Sequence, residues 1–314
     1  MIAGRKIFAG RATQSLAREI CKHLGEPLAR AEVMKFKNDN LFIQIEENVR
    51  EREVFVVQTS CPPVDENLME TLIMIDALKR ASAGRVTAVL PYYPYGRSDK
   101  KDQPRVPITA RLVADLLTTA GADRIMTVDL HSPQIQGFFS IPCDHLTATL
   151  LFAEHMKEKG LKDPVAVATD AGSARRALAF ARLLDIPLAI MEKHRLGNTD
   201  TVEMTAFIGD VRGREAIVFE DEIASGSTLL GAAELLRQHG AAAIYVCATH
   251  GCFSGNALKR LVESPIREVV VTDTIPHESL PPMVTQLSVA PLLAEAIRRV
   301  TSGESISSLF DPLE

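Results

Sequence analysis

The residues most able to do chemistry in this sequence lie in "EDEIASGST", residues 220–228, which directly follows the apolar run "AIVF". Serine, glycine and threonine between a strand and a helix expose backbone N–H groups at the positive end of the helix, and this environment suits a phosphate group. Gly226 allows a close approach of the backbone, and the hydroxyls of Ser225, Ser227 and Thr228 add hydrogen-bond donors. The stretch therefore predicts a phosphate site.

Two carboxylates, Glu220 and Asp221, open the same stretch, although a carboxylate repels a phosphate. They are explained if the ligand also carries hydroxyl groups, or if a divalent cation lies nearby. A sugar phosphate carries both a phosphate and hydroxyl groups, so it explains the hydroxyl residues and the carboxylates of this stretch together. The alternative is that Asp221 and Glu222 only decorate the start of a helix, where acidic residues are favourable.

A second stretch, "GRSDKKDQPR" at residues 96–105, is rich in cations. It is either a clamp for a polyphosphate or a solvated surface loop. The sequence contains neither the glycine-rich phosphate loop with its lysine nor the dinucleotide fingerprint. A nucleotide that binds here must therefore do so without either of the common loops.

His131 and Asp170 each follow a predicted strand. An imidazole and a carboxylate can together hold Mg²⁺ through water molecules. A single histidine at a strand end is more often a packing or hydrogen-bonding residue, so both interpretations stay open at this point.

The composition excludes several classes of protein. Of the 314 residues, 46% are apolar and 24% are charged, which is ordinary for a globular protein, and the net charge of −5 argues against a nucleic-acid binder. No apolar run is long enough to span a membrane, and the N-terminus lacks a signal-peptide core. Five cysteines without a CxxC pair indicate reduced thiols, so we expect a cytoplasmic protein.

Eight apolar, β-branched runs alternate with amphipathic stretches, which predicts parallel sheets with helices on both faces. Ligands of such sheets bind beyond the carboxyl ends of the strands, and most of these ends carry polar or charged residues. The predicted strands are Val54–Ser60, Arg85–Tyr93, Arg124–Leu130, Pro164–Asp170, Pro187–Lys193, Glu215–Asp221, Ala243–Thr249 and Glu268–Thr274.

The chain also repeats itself, because "ADLLTTAGADRIMTVDLH" from Ala114 and "AELLRQHGAAAIYVCATH" from Ala233 align without a gap. Each reads as a helix that ends at a glycine, followed by a strand that ends at a histidine. The repeat predicts two related α/β domains, which we place at residues 1–147 and 148–314. The alternative is that any helix–glycine–strand unit looks like this.

Five segments of the chain together match the signature segments of one family. They are, in order, "DENLMETLIMIDALKRASAGRVTAVLPYYPYGRSDKK", "RVPITARLVADLL", "TVDLHSPQIQGFF", "ATHGCFSGNA" and "LLAEAIRRVTSGESISSLF". With them the chain resembles the ribose-phosphate pyrophosphokinases (phosphoribosyl pyrophosphate synthetases), as a divergent member, over nearly its whole length. The resemblance implies an α/β protein of two similar type I phosphoribosyltransferase-like domains, each a mostly parallel sheet flanked by helices. The N-terminal domain would bind ATP and the C-terminal domain ribose 5-phosphate.

The resemblance also implies a reaction of nucleotide biosynthesis. The anomeric hydroxyl of ribose 5-phosphate attacks the β-phosphorus of MgATP and gives phosphoribosyl pyrophosphate and AMP. Two alternatives are a non-catalytic regulatory homologue and a phosphoribosyltransferase that consumes the product. A pure binding subunit has no need of the full set of cations and metal ligands, and a phosphoribosyltransferase has no need of the loop at Arg97–Lys101.

Site residues follow from the resemblance position by position. The Mg²⁺ ligands would be His131 and Asp170, and Asp170 would also lie in the ribose-phosphate site. The ATP-binding residues would be Phe36, Asn38, Asn40, Arg97, Asp99 and Lys100. The catalytic pair on a mobile lid would be Lys193 and Arg195. The ribose-phosphate site would be completed by Glu220, Asp221, Ser225, Gly226, Ser227 and Thr228.

Several of these positions depart from the common pattern of the family. The usual loop is acid-acid-x-x-acid-Thr-Gly-Gly-Thr, whereas this chain has Ala224 for the third acid, Ser225 for the threonine and Ser227 for the second glycine. In the cationic loop, Ser98 replaces a glutamine and Lys100 an arginine, which loses the bidentate fork but keeps the charge.

The adenine-site segment "FKNDN" likewise replaces a segment that is richer in acids. These changes retain neutral hydrogen-bonding groups, so we expect a divergent active branch, in which the nucleotide preference and the sugar affinity stay open.

The resemblance further implies homo-oligomers, commonly hexamers, and regulation by phosphate and ADP. Arg50, Ser82, Ser305 and Ser307 fall near the family's phosphate-effector positions. We expect ATP and ribose 5-phosphate as the partners, together with other copies of the chain, and neither a nucleic acid nor a membrane.

Overall fold

The computed structural model of the chain describes residues 4–170, 172–195 and 202–310. Side chains 192–195 and 202–207 lie outside this description. The described residues form two compact units. Unit 1 comprises residues 4–147, 274–276 and 288–310, and unit 2 comprises 148–273 and 277–287.

Unit 1 contains a fully parallel five-stranded sheet. In spatial order its strands are β1 (Arg5–Ala9), β4 (Glu53–Val57), β5 (Arg85–Leu90), β6 (Arg124–Val128) and β7 (Cys143–Leu146). A separate antiparallel hairpin is formed by β2 (Ala31–Lys35) and β3 (Leu41–Ile45). The helices are α1 (Gln14–Leu24), α2 (Val64–Arg80), α3 (Thr109–Ala120) and α8 (Ala290–Ser302), with short 3₁₀ turns at Arg11–Thr13, Pro133–Phe138 and Ser307–Leu309.

Unit 2 contains a seven-stranded sheet in which one edge pair, β9 and β10, is antiparallel and all other neighbours are parallel. Its spatial order is β10 (Val202–Ile208), β9 (Leu188–Arg195), β8 (Pro164–Ala168), β11 (Glu215–Ile223), β12 (Ala243–Gly251), β13 (Glu268–Thr272) and β14 (Val284–Leu287). The helices are α4 (Thr149–Glu158), α5 (Ala174–Leu184), α6 (Ser227–Gln238) and α7 (Ala257–Val262).

The central strands are buried over most of their length, as expected where helices cover both faces of a parallel sheet. All five residues of β4 are buried, and β8 and β11 are buried after their first residue as far as Ala168 and Phe219. Such strands read as continuous apolar runs, and this is why the sequence predicts them. The predicted α/β fold with mostly parallel sheets flanked by helices is confirmed.

The two copies of the sequence repeat fold alike. In the first copy α3 leads into β6, and in the second α6 leads into β12. Both helices are followed within two residues by a glycine with a left-handed backbone, since φ is 109° at Gly121 and 82° at Gly240. The next residue closes the turn in each copy: Ala122 N–H donates to Leu117 at 3.1 Å, and Ala241 N–H donates to the equivalent carbonyl at 3.0 Å.

The division into units is not linear in sequence. The chain passes from unit 1 to unit 2 after residue 147, where we place the domain boundary, but residues 288–310 belong to unit 1 again. They include α8, which packs against α1. Among the described residues, no helix is both long enough and apolar enough to cross a membrane.

Candidate active site

The hairpin of unit 1 carries the predicted adenine-binding segment in its turn. The Phe36 ring is 48% exposed and lies 5.5 Å from the Phe42 ring, so part of its surface is open to stacking. The turn is closed by Asp39, with φ 67°, and by the Asn40 N–H, which donates to Asn38 Oδ1 at 3.3 Å. The Asn38 oxygen is thus engaged by its own turn, whereas its amide nitrogen stays a donor.

A chain of charges ties this hairpin to α2. Lys35 Nζ donates to Glu66 at 2.7 Å, and Glu66 also accepts from Arg11. Hydrogen bonds from these two cations, Lys35 first, lower the pKa of Glu66. Arg11 in turn is held by Glu70, a fully buried carboxylate that accepts from the Arg11 N–H at 2.7 Å and from Nε at 2.6 Å.

The cationic loop follows β5. Arg97 and Lys100 are exposed, and Asp99 is partly exposed. Ser98 anchors the loop to the start of α3, because its carbonyl accepts from Ala110 N–H at 3.1 Å and its Oγ accepts weakly from Thr109 N–H at 3.4 Å. Ser98 therefore accepts hydrogen bonds from the first N–H groups of α3.

His131 lies beside this loop, at the carboxyl end of β6. A β-carbon added to Gly96 would lie 3.6 Å from the His131 Cβ. The residue before the histidine is fixed by a hydrogen bond from Leu130 N–H to His145 Nε2 at 2.9 Å. Asp129, with φ 39°, accepts from the Thr147 hydroxyl at 2.8 Å. The structure thus brings His131 and the cationic loop together on one edge of the unit 1 sheet.

Asp170 follows β8 in unit 2 and is held by the start of α5. Its Oδ1 accepts from the Ser173 N–H at 2.8 Å, and its own N–H donates to Ser173 Oγ at 3.3 Å. These bonds fix the carboxylate and leave Oδ2 outside the turn.

Glu220 and Asp221 lie on the neighbouring strand β11. The Thr169 hydroxyl donates to Glu220, and Arg176 Nη2 donates to Asp221 Oδ1 at 3.2 Å. Burial, together with the carboxylates of Asp221 and Asp170, raises the pKa of Glu220 to about 7, against the opposing effects of the Thr169 hydrogen bond and the Arg176 charge. The end of β11 therefore combines a carboxylate that titrates near neutrality with one that is paired to a cation.

The loop of residues 225–228 starts α6. Gly226 is the N-cap with φ 72°, a left-handed conformation that favours glycine. Ser225, Ser227 and Thr228 are exposed, and Ser225 Oγ lies 3.3 Å from Ser227 Oγ. The N-cap Gly226 has no side chain to cap α6, and the first N–H of the helix, that of Ser227, makes only a long hydrogen bond to Ser225 Oγ, at 3.5 Å. The first N–H groups of α6 are open to an anion.

Lys193 and Arg195 lie in β9, where they pair with Met204 and Val202 of β10. We expect the strand to stop at Lys193, but it continues to Arg195 as one arm of an antiparallel pair. The side chains of both residues, and the rest of the predicted lid at residues 196–198, lie outside the described part of the structure.

Comparisons with known proteins agree over both units. The N-terminal domain of ribose phosphate pyrophosphokinase matches residues 5–121, and a phosphoribosyl synthetase-associated domain matches residues 198–311. A curated ribose-phosphate pyrophosphokinase of Caldanaerobacter subterraneus subsp. tengcongensis is 52% identical over 97% of each chain. The chain belongs to the ribose-phosphate pyrophosphokinase family.

Two further relatives support this assignment. A ribose-phosphate pyrophosphokinase of Helicobacter pylori is 45% identical and covers 98% of this chain, which covers 96% of it. The crystal structure of phosphoribosylpyrophosphate synthetase from Mycobacterium smegmatis superimposes with a TM-score of 0.89 at 44% identity, over 96% of this chain and 100% of that one.

Three residues that contact predicted site residues are not themselves predicted from the sequence. Thr169 bonds Glu220, Arg176 bonds Asp221, and Arg260 Nη1 donates to Ser227 Oγ at 3.1 Å. The first two lie within "TDAGSARR", a stretch that the polar strand-end pattern does single out as a whole. Arg260 lies 33 residues after Ser227 in the sequence, so local spacing gives no signal for this contact.

Two of the four positions near the family's phosphate-effector site line a cavity of unit 1. A cavity of about 580 Å³ in unit 1 is lined by Ser305 and Ser307, together with Arg85 and Arg124. Arg50 and Ser82, both described, are not among its lining residues. The effector positions stay a prediction.

Proposed function

We propose that this protein transfers the pyrophosphoryl group of ATP to the anomeric hydroxyl of ribose 5-phosphate and releases phosphoribosyl pyrophosphate and AMP. The observation that supports this most strongly is the 52% identity, over 97% of both chains, to a curated ribose-phosphate pyrophosphokinase. The arrangement of the described site residues is consistent with it.

The nucleotide would be bound by unit 1. The half-exposed Phe36 ring offers a face for an adenine, and Asn38 and Asn40 offer amide groups in the same turn. Arg97 and Lys100 are exposed cations of the loop whose Gly96 lies beside His131, so they are suited to the negative charge of a triphosphate. Asp99 sits between them on the same loop.

The sugar phosphate would be bound by unit 2. The open N–H groups at the start of α6 and the hydroxyls of Ser225, Ser227 and Thr228 suit its phosphate. Gly226 leaves room for the phosphate to approach the backbone. Glu220 and Asp221 suit its hydroxyl groups, as carboxylates accept hydrogen bonds from them.

Lys193 and Arg195 are the proposed catalytic pair. Negative charge on the transferring group is redistributed in the transition state, and fixed cations stabilise that charge without forming a covalent intermediate. They lie two residues apart on β9, and alternate residues of a strand share a face.

His131 and Asp170 are the proposed residues for Mg²⁺. Within the described residues there is no group of three or more histidine, cysteine or acidic side chains that could hold a metal by itself. Mg²⁺ does not require one, since it commonly keeps several waters and takes one or two protein ligands plus substrate phosphates. The ion would neutralise charge on the triphosphate, and Asp170 Oδ2 is the oxygen that its turn leaves for this task.

Self-association, in a hexamer or a smaller homo-oligomer, and a cytoplasmic location complete the proposal. Leu112 and Leu116, one turn apart on α3, are 54% and 39% exposed and are candidates for a contact between copies. None of the five cysteines forms a disulfide, which fits a reducing compartment.

The proposal is tested by incubating the purified protein with MgATP, with and without ribose 5-phosphate, and measuring AMP. We expect AMP to form only when the sugar phosphate is present, and to be strongly reduced in Lys193→Ala. A regulatory homologue would form none, and a phosphoribosyltransferase would form none without its own base and phosphoribosyl pyrophosphate. Either result would contradict the proposal.

A further inference from the structure

Arg260 of α7 reaches the loop of residues 225–228 from the side. Its Nη1 donates to Ser227 Oγ at 3.1 Å and, more weakly, approaches the carbonyl oxygen of Ser225 at 3.4 Å. The side chain is partly buried. A guanidinium has five donors, so these contacts leave most of them available.

The backbone fixes α7 against the loop. Phe253 N–H donates to the carbonyl of Ile223 at 2.9 Å, and Ser254 N–H donates to that of Ala224 at 3.0 Å. These two bonds join the segment just before α7 to the segment just before the loop. The main chain therefore holds α7, and with it the Cα atom of Arg260, beside the loop.

The charge of Arg260 is not balanced by a carboxylate. Among the residues that the structure describes, no acidic side chain lies within ion-pair distance of it. Two other arginines of unit 2 are paired: Arg237 lies 2.6 Å from Glu234, and Arg176 lies 3.2 Å from Asp221. A cation without a counter-ion beside an open helix N-terminus is arranged to receive an anion.

Ser227 makes this arrangement possible. The common family loop has a glycine at this position, which has no side chain to accept a hydrogen bond. Here the serine hydroxyl connects the guanidinium to the loop. The departure from the family pattern thus has a structural consequence that the sequence alone does not reveal.

We propose that Arg260 is a further binding residue for the phosphate group of the sugar phosphate, and that Ser227 holds its guanidinium in place. This rests on the proposed function of the loop. A planar guanidinium can donate two parallel hydrogen bonds to a phosphate, which a lysine cannot do. Arg260 therefore contributes to the binding of ribose 5-phosphate and does not contribute to the binding of ATP.

Steady-state kinetics and direct binding test the proposal. Arg260→Ala is expected to raise KM for ribose 5-phosphate by about 10-fold to 100-fold, the range typical of a lost charge-assisted hydrogen bond, and to leave KM for ATP within about 2-fold. Arg260→Lys should lie between the two, because it keeps the charge and loses the fork. The weak binding of ribose, which has no phosphate, should not change in either variant.

Two further variants define the controls. Arg237→Ala removes an arginine from the far end of α6 and is expected to leave both KM values within about 2-fold of the parent. Ser227→Gly should raise KM for ribose 5-phosphate less than Arg260→Ala does. The double variant should cost less than the product of the two singles, since both act on one contact.

The outcomes separate this inference from the proposed function. If Thr228→Ala weakens ribose 5-phosphate binding but Arg260→Ala and Arg260→Lys behave like Arg237→Ala, the loop binds the phosphate and Arg260 does not. An equal rise in KM for both substrates would also overturn the inference, because it indicates a general defect. If Thr228→Ala too has no effect, the assignment of the loop itself fails, and the inference fails with it.

Discussion

At the scale of single residues, Glu220 is a buried carboxyl group of unit 2 that titrates near neutrality. Burial, together with the carboxylates of Asp221 and Asp170, raises its pKa from 4.5 to about 7. An unfolded chain loses this proton near pH 4.5, so between about pH 4.5 and 7 the folded protein binds more protons than the unfolded one. Stability therefore falls as the pH rises through this window and is constant above it.

Glu220→Gln should remove this penalty. We expect the ligand-free variant to equal the parent near pH 4.5 and to exceed it by about 1–3 kcal/mol above pH 7, where one pKa unit corresponds to ~1.4 kcal/mol and partial exposure reduces the effect. Urea unfolding between pH 5 and 8 measures it. Glu234→Gln is the opposite control, since its Arg237 partner lowers the pKa of Glu234 to about 2, and it should give no gain. An equal gain in both variants would contradict the role of burial.

Ala224 is the residue at which a carboxylate of the common loop is missing. Its carbonyl is fixed by Ser254 N–H, so the loop backbone should tolerate a longer side chain. Ala224→Asp is expected to lower KM for ribose 5-phosphate by roughly 3-fold to 10-fold, as one hydrogen bond to a charged group is gained. Ala224→Asn is the neutral control of the same size. No improvement with aspartate would mean that this chain has reorganised its sugar contacts.

Lys193→Ala and Arg195→Ala test the catalytic pair. Each should lower kcat by about 10²-fold to 10³-fold, the usual cost of removing one transition-state donor, with a much smaller change in KM. The double variant should cost less than the product of the singles, because both cations act on the same group. If the singles instead raise KM and leave kcat unchanged, the pair binds only ground-state ATP.

At the scale of the elements, Glu70 is the buried acid that joins α2 to the connection between β1 and α1. It accepts from the Arg11 N–H and Nε and, at 3.1 Å, from Gln58 Nε2. Glu70→Ala leaves these donors without an acceptor and should lower the free energy of unfolding by roughly 2–4 kcal/mol, since Arg11 is 40% exposed and can partly rehydrate. Asp76→Ala removes an exposed pair with Arg80 from the same helix and should cost less than about 0.5 kcal/mol. Denaturant titration compares them, and equal losses would contradict the account.

The elements also show what the sequence could and could not predict. All eight predicted strands exist, because they are central strands that read as apolar runs, and most of them are buried on both faces. The six other strands among the described residues are edge strands or parts of hairpins. β7, "CDHL", and β14, "VTQL", are four residues long and mix polar with apolar residues, so no period stands out. The hairpin strands β2 and β3 alternate only weakly in burial.

The residues of the candidate site likewise fall into those that local sequence predicts and those that it does not. Strand ends with polar residues, such as Asp170 and the loop of residues 225–228, follow from local sequence because a parallel sheet binds ligands there. Arg260 could not be predicted so, as its partner Ser227 is distant in sequence and the contact depends on tertiary packing.

At the scale of the whole molecule, unit 1 is built from both ends of the chain. α8 packs against α1, and the Thr147 N–H donates to the carbonyl of Leu309 at 3.3 Å. A fragment of residues 1–147 lacks α8 and should expose the apolar face that α8 covers, so we expect it to unfold without a sharp transition or to aggregate. Thermal unfolding of this fragment beside the full chain measures the effect. A cooperative transition at the temperature of the full chain would contradict the composition of unit 1.

The central claim is that ATP is cleaved between its α- and β-phosphorus and that the two outer phosphates move together to the sugar. Phosphorus NMR of the protein with MgATP and ribose 5-phosphate observes this directly. The account predicts AMP and phosphoribosyl pyrophosphate in equal amounts, with no ADP and no inorganic phosphate as early products. Formation of ADP with a sugar that carries a second, single phosphate, or no change in ATP that depends on ribose 5-phosphate, would contradict it.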